Sequence, residues 1–229
     1  MNRLGEAIAA SRPRVIAALA VHCRDLDLAE EAFAEASARC LGMSEPPRDV
    51  AAWLMTVSKR RIIDTLRRRA VEARAIADAA REHDMAEILT LPEPIPDERL
   101  RLLFICCHPA LALEARAALA LKVICGLSVS QIARVFFASE PAMLQRITRA
   151  KRKVREAGIA FELPPRSAWG ERLEAVLLTL ELACTAAYQD AAGERTRIDG
   201  ARASQEVARL AAMVADLLPS EPEALGLAA

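Results

Sequence analysis

The chain has 229 residues, of which 53% are hydrophobic, so it can form one large domain or two to three small ones. Only 3% are aromatic and no alternating β-branched run predicts a strand, so we expect an all-α fold. The sequence shows no signal peptide, membrane-length apolar run or CxxC pair, so we expect a cytoplasmic protein without disulfides.

Charge is segregated along the chain although the formal net charge is zero. One basic island contains Lys59, Arg60, Arg61, Arg67, Arg68 and Arg69, and a second runs from Arg146 to Arg155. Acidic residues collect at 25–35, at 72–98 and after Glu171. Two basic islands in an otherwise acidic chain predict two contacts with a polyanion and leave the acidic surface for another partner.

Two helices are expected before residue 42. The first reaches about Val21, and Pro13 predicts a break within it. The second covers 25–41 and has an apolar face made of Leu26, Ala29, Phe33, Ala36 and Cys40. Its other face carries Asp27, Glu30, Glu31 and Glu35. No histidine is spaced to complete a metal or acid–base site, so this face contacts either a protein or solvent.

The loop 42–49 contains glycine, serine and two prolines, and a basic helix is expected from Val50 to about Arg69. Its apolar arc consists of Met55, Ile62, Ile63 and Leu66. Trp53 at its start is either a core residue or a platform on which an unpaired base can stack. The charged residues that follow, up to about Pro96, read as a linker broken by prolines.

The CCHP run at Cys106–Pro109 raises the question of a zinc site. Adjacent cysteines on a helix point about 100° apart, and the usual ligand spacings are missing. We therefore expect Cys106 and Cys107 in the core, His108 at a helix end, and no metal or other cofactor.

Residues 113–155 have a helix-turn-helix pattern. Gly126 ends one helix, Ser128 caps a short helix, a turn follows near Phe137, and Ser139 caps a longer basic helix with Pro141 in its first turn. The expected buried positions are Val129, Ile132, Ala133 and Phe136 in the short helix, and Met143, Ile147, Ala150 and Val154 in the long one. Gln145, Arg146, Arg149 and Arg152 lie on other faces of the long helix. Such a basic helix alone is often only solvated, but the paired helices favour binding in a major groove.

Two further helices are expected after Pro165, joined by a loop at Gly193–Gly200. The stripe of the first comprises Leu173, Val176, Leu177, Leu180, Cys184 and Tyr188. The stripe of the second comprises Val207, Leu210, Val214 and Leu217. These stripes predict a helical hairpin that docks on the preceding helices or on another protein.

These motifs together resemble a known family. The run AEEAFAE followed by AAWLMTVSKRRIIDTLRR resembles the second conserved region of bacterial sigma factors of the extracytoplasmic-function class. The run GLSVSQIARVFFASEPAMLQRITRAKRKVREAG resembles their fourth region. The segment IPDERLRLLFICCHPALALEARAALAL and the tail after Glu171 are similar to the subclass with a helical, tetratricopeptide-like carboxy-terminal extension.

The resemblance implies a promoter-specificity subunit of RNA polymerase rather than an enzyme. It implies four segments: a region 2-like domain at 1–70, a linker at 71–98, a region 4-like domain at 99–163 and a helical extension at 164–229. Polymerase-binding positions would be Asp27, Glu30, Glu31, Glu35 and Arg39. Positions that contact melted downstream promoter DNA would be Lys59, Arg60, Arg61, Arg67 and Arg68. Positions that read the duplex upstream element would be Ser139, Glu140, Pro141, Ala142, Gln145, Arg146, Arg149 and Arg152.

The chain departs from the family pattern at several positions. Ala34 and Ser37 replace a glutamine and an aromatic residue of the acidic motif, Phe137 replaces a turn glycine, and 185–187 replaces an Asn-Glu-Gly run. Two alternatives therefore remain. One is a degenerate sigma-like interaction protein that no longer initiates transcription, and the other is a simple helix-turn-helix repressor. The extension offers a surface for a regulator, and no membrane contact is expected.

Overall fold

The computed structural model describes residues 3–76, 98–192 and 207–216, together with residues 222 and 226. Every regular element in these ranges is helical, which confirms the all-α expectation. Among the same residues, none of the helices has both the length and the apolar character that a membrane crossing requires. The proline-containing part of the predicted linker, the 193–200 loop, Leu217 and most of the last residues lie outside the described ranges.

The chain divides into two compact units, Met1–Glu98 and Arg99–Ala229. The first unit contains α1 (Arg3–Cys23), α2 (Leu26–Leu41) and α3 (Val50–Ile76), each of which packs on the other two. Helix α1 runs unbroken through a buried Pro13, so the predicted break was wrong. Burial of Ile8 and Ile16 on either side holds the helix together despite the hydrogen bond that proline removes.

Helix α2 has the expected amphipathic character. Asp25 caps it, because its Oδ1 atom accepts hydrogen bonds from the N–H groups of Asp27 and Leu28, both at 3.0 Å. All five residues predicted for its apolar face are buried. From α3, the buried side chains Leu54, Ser58 and Ile62 complete the core, and the Ser58 hydroxyl donates to the Ala32 carbonyl at 3.3 Å.

The second unit is built around α5 (Leu113–Val123). The other helices of this unit are α4 (Glu98–Cys106), α6 (Val129–Val135), α7 (Glu140–Glu156), α8 (Gly170–Ala192) and α9 (207–216). Helix α5 packs against α6, α7 and α8. Its residues Leu119 and Leu121 are completely buried, as is Phe104 of α4. The helix-turn-helix and the tail after Pro164 therefore share one core.

Polar contacts pin the start of α8 to that core. The Trp169 ring lies 5.2 Å from the Phe104 ring, and Trp169 Nε1 donates to the Pro164 carbonyl at 2.7 Å. Arg172 Nη1 donates to the Phe104 carbonyl at 2.8 Å, and Arg116 Nη1 donates to the Glu171 carbonyl at 3.3 Å. These contacts make α8 a structural part of the helix-turn-helix unit.

The buried face of α8 differs from the predicted stripe. Val176, Leu177 and Leu180 are buried as expected, but Cys184 and Tyr188 are exposed, Tyr188 by 77%, so their inward placement was wrong. The helix packs instead through small side chains, namely Ala175, Thr179, Ala183, Ala186 and Ala187. Small side chains let α8 approach its neighbours closely. The face that it buries is therefore centred on these small residues and not on the row of large apolar residues that the sequence pattern identified.

The CCHP run lies in the core and in a turn. Cys106 and Cys107 are completely buried, and burial raises the pKa of the Cys107 thiol to about 12. His108 Nδ1 accepts a hydrogen bond from the Ala110 N–H at 3.1 Å, which closes the turn after α4. Within the described residues, no three potential ligands cluster as a metal ion requires.

Candidate nucleic-acid interface

The two helices of the motif begin as the sequence predicts. Ser128 Oγ accepts from the Gln131 N–H at 3.2 Å, and Gln131 Oε1 accepts from the Ser128 N–H at 2.7 Å, which forms a capping box at α6. Ser139 Oγ accepts from the Ala142 N–H at 3.4 Å at the start of α7. The predicted N-caps Ser128 and Ser139 are therefore confirmed.

The turn between α6 and α7 contains a strained aromatic residue. Phe137 has a φ of +50°, and its side chain is 97% exposed. The turn is closed by hydrogen bonds from the Phe137 N–H to the Arg134 carbonyl at 3.1 Å and from the Ala138 N–H to the Ala133 carbonyl at 2.9 Å. A phenylalanine thus occupies a left-handed conformation that favours glycine.

Replacing Phe137 by glycine should stabilise the second unit. A left-handed backbone conformation costs an L-residue other than glycine about 1–2 kcal/mol, and glycine avoids this cost. Glycine itself loses more backbone entropy on folding, which destabilises the folded state by about 0.5–1 kcal/mol. Because the exposed ring contributes no burial, we expect a net gain of up to about 1.5 kcal/mol in the free energy of unfolding. Urea denaturation measures this gain, and Phe137→Ala, which keeps a Cβ atom, is the control that should show none. Equal stabilisation in both variants would mean that exposure of the Phe137 ring, and not strain in its backbone, destabilises the unmodified chain.

Helix α7 buries the predicted stripe and exposes a cationic face. Met143, Ile147, Ala150 and Val154 are all buried, whereas Gln145, Arg149 and Arg152 are exposed, as are Glu140, Pro141 and Ala142. In α6, Ile132, Ala133 and Val135 are buried, but Val129 and Phe136 are only half-buried, so their full burial was a wrong expectation. Phe136 ends α6, where its ring lies at the edge of the core rather than inside it.

A groove of about 520 Å³ runs along the cationic face of α7. One wall is formed by Ala110, Leu111, Ala112 and Ala115. The other wall is formed by Ala142, Gln145, Arg146, Arg149, Ala150, Arg152, Lys153 and Glu156. We call it the cationic groove. Its four cations outnumber its one carboxylate, so it attracts phosphates, and its amide and guanidinium groups can pair with base edges.

Arg146 differs from its neighbours because it is only half-exposed, at 34% of its side chain. Its Nη1 atom lies 2.8 Å from Oε2 of Glu114 at the start of α5, and its guanidinium carbon lies 5.7 Å from the centre of the Phe136 ring. Arg149 Nη2 donates to Gln145 Oε1 at 3.2 Å, and Arg152 Nε lies 3.6 Å from Glu156. Sequence reasoning missed Glu114, because no local pattern links it to α7.

The basic residues of α3 do not all face solvent. Arg60, Arg67 and Arg68 are exposed and can reach a nucleic acid. Arg61 Nε forms an ion pair with Glu35 of α2, and Arg61 Nη2 lies 3.9 Å from Glu31. Lys59 is half-buried near α1. The pKa of His22 in α1 is lowered, mainly by the burial of that imidazole and secondarily by the positive charge of Lys59.

The predicted polymerase-binding residues are likewise divided. Asp27 and Arg39 are exposed. Glu30 pairs with Arg12 of α1 at 2.8 Å, and Glu31 and Glu35 meet Arg61. Part of the acidic face of α2 is thus neutralised by the two other helices of its own unit, and Arg12 belongs to a cluster that the sequence did not reveal.

Comparisons with known proteins agree with this geometry. The family model described as "Sigma-70, region 4" matches residues 101–154, a range that contains α6, most of α7 and every residue lining the cationic groove except Glu156. An uncharacterised protein of Rhizobium meliloti (strain 1021) is 42% identical over 234 aligned positions, which cover 97% of this chain and 54% of that protein. The chain thus spans about half the length of this curated relative. No solved structure matches the chain significantly.

Proposed function

Because the chain belongs to the sigma-70 family, we propose that it is an alternative sigma factor, which binds core RNA polymerase and directs it to particular promoters. One observation carries the proposal. The exposed, cationic face of α7 borders an open groove within a helix-turn-helix that matches region 4. A helix of this kind fits the major groove, where arginine and glutamine discriminate among base pairs.

Within this proposal the two units have separate roles. Helix α7 reads the upstream promoter element as duplex through Gln145, Arg146 and Arg149. Helix α3 and the 42–49 loop contact the downstream element, and the exposed Arg60, Arg67 and Arg68 supply the charge that melted DNA requires. The polymerase, not this chain, performs the chemistry, and the chain works in the cytoplasm.

Core polymerase binds the first unit through the part of α2 that remains accessible. Asp27 and Arg39 are exposed, and Glu31 and Glu35 retain 62% and 42% of their side-chain exposure although they meet Arg61. Exposed ion pairs contribute only about 0–1 kcal/mol, so a partner surface can replace them at small cost. The tail after Pro164 is the surface on which a regulator acts.

A second candidate is a degenerate sigma-like protein that occupies polymerase without initiating transcription. The pairing of Arg61 with Glu31 and Glu35 supports it, because these two contacts set one proposed DNA-binding residue against two proposed polymerase-binding residues within the chain itself. The replacements at Ala34 and Ser37 lie on the same helix. This candidate retains the fold and loses promoter opening.

Transcription in vitro separates the candidates. The full chain is mixed with core RNA polymerase and a library of promoter fragments, and the run-off transcripts are sequenced. We expect transcripts that share an upstream and a downstream element and that disappear without the chain. Binding to polymerase without transcripts favours the degenerate candidate. Binding to duplex alone, with no affinity for polymerase, would indicate a repressor and contradict the sigma-factor proposal.

A further inference from the structure

Arg146 is held in place by residues outside its own helix. Glu114 at the start of α5 meets its Nη1 atom at 2.8 Å, and the Phe136 ring at the end of α6 lies 5.7 Å from its guanidinium carbon. Arg149 and Arg152, by contrast, have their partners on α7 itself. The orientation of the Arg146 side chain therefore depends on how α5, α6 and α7 pack together.

This arrangement suits the reading of a base. A bidentate contact with the O6 and N7 atoms of guanine needs two neighbouring N–H groups in one plane at a fixed orientation. Glu114 meets Arg146 at Nη1, so the contact with a base would use the Nε and Nη2 groups of this groove-lining residue. The aromatic ring supports the guanidinium plane. Fixing the side chain before binding lowers the entropy cost of the contact.

The charge of Glu114 has the opposite effect on general DNA affinity. The side chain is 66% exposed and belongs to the same helix-turn-helix as the cationic groove, so its carboxylate repels phosphates. A residue placed only to strengthen attraction to DNA would not be acidic. Glu114 therefore weakens binding to every duplex, while the arginine that it orients favours particular ones.

We propose that Glu114 is a positioning residue that sets Arg146 for base reading and so determines sequence specificity in the upstream element. The inference rests on the proposed function, in which α7 reads that element. It predicts that loss of the Glu114 charge lowers discrimination among sequences without lowering affinity for DNA in general. A merely structural role for Glu114 would not separate these two quantities.

The test compares Glu114→Gln, Arg146→Ala and the control Glu174→Gln, which removes the same charge from the exposed surface of α8. The full chain, alone and bound to core RNA polymerase, selects duplexes from a randomised library. We expect Arg146→Ala to lose preference at one base pair, where the unmodified chain discriminates roughly five- to 150-fold. Glu114→Gln should lose preference at the same base pair, yet bind mixed-sequence duplex at least as tightly. The control should keep the motif.

The double variant Glu114→Gln, Arg146→Ala should select the same motif as Arg146→Ala alone, because Glu114 acts through that arginine. If Glu114→Gln keeps the preference that Arg146→Ala loses, the inference is overturned and the proposed function stands. Weaker binding of Glu114→Gln to mixed-sequence duplex also overturns it. If the unmodified chain selects no motif, the proposed function fails, and the role of Glu114 fails with it.

Discussion

An Arg146→Ala, Arg149→Ala double variant should lose recognition of the upstream promoter element. Each arginine that pairs with a base contributes about 1–3 kcal/mol of discrimination, so the double change should remove most sequence preference. Each lost phosphate contact should also reduce the slope of log binding constant against log salt concentration by about 0.9. Fluorescence anisotropy with duplexes carrying the element, measured at several salt concentrations, gives both quantities.

The matched control is Arg155→Ala. Arg155 is an exposed arginine of the same helix that does not line the cationic groove. It should alter sequence preference little, because it lies about 180° around the helix from Arg146 and about 120° from Arg149. Unchanged promoter use in the Arg146→Ala, Arg149→Ala variant, or equal losses in the control, would contradict the assignment of the groove as the reading surface.

Replacing Trp169 by alanine should produce the largest loss of stability. The side chain is 5% exposed, contacts the Phe104 ring and donates to the Pro164 carbonyl. Removal of a buried tryptophan typically costs about 3–5 kcal/mol, a large fraction of the stability of one domain. The loss should be confined to the second unit. Far-ultraviolet circular dichroism during urea unfolding measures it.

Trp169→Phe is the control, because it keeps a ring against Phe104 and loses the hydrogen bond to Pro164. We expect a loss of about 1–2 kcal/mol, close to that of one buried hydrogen bond. The chain has two tryptophans, so in both variants the fluorescence comes from Trp53 and reports on the first unit alone. A shift of the Trp53 transition, or a loss below about 1 kcal/mol in Trp169→Ala, would show that the ring does not anchor α8 in the way described.

The sequence predicted those features that depend on local order. Capping by Ser128 and Ser139 needs only a hydroxyl one position before a helix, so both caps were predicted and are present. The apolar stripe of α7 has strict helical spacing, and all four of its residues are buried. At Phe137, which replaces the glycine usual in the family, the sequence left two possibilities, a strained backbone or a shifted turn, and the structure has the strained backbone, with a φ of +50°.

The sequence could not predict pairings between helices. Arg61 with Glu35, Arg12 with Glu30, and Arg146 with Glu114 each join side chains from different helices, and their meeting depends on crossing angles that no local pattern encodes. The inward placement of Tyr188 was wrong for a related reason. Sequence periodicity identifies the row of large apolar residues along a helix. In α8 the alanines instead determine which face packs against α5 and how closely the two helices approach.

The anchoring of α8 affects how the smallest DNA-reading fragment should be cut. The family match ends at residue 154, yet Arg116 and the Phe104 carbonyl both bind residues beyond 170. A fragment that stops at 154 would lack α8, so the apolar surfaces of α5 and Phe104 would be exposed to solvent and the fragment would tend to aggregate. A fragment for crystallography or spectroscopy should therefore keep residues 98–216, which include α4, α8 and the buried residues of α9. Inactivity of a shorter piece would reflect unfolding before it reflected a missing regulator.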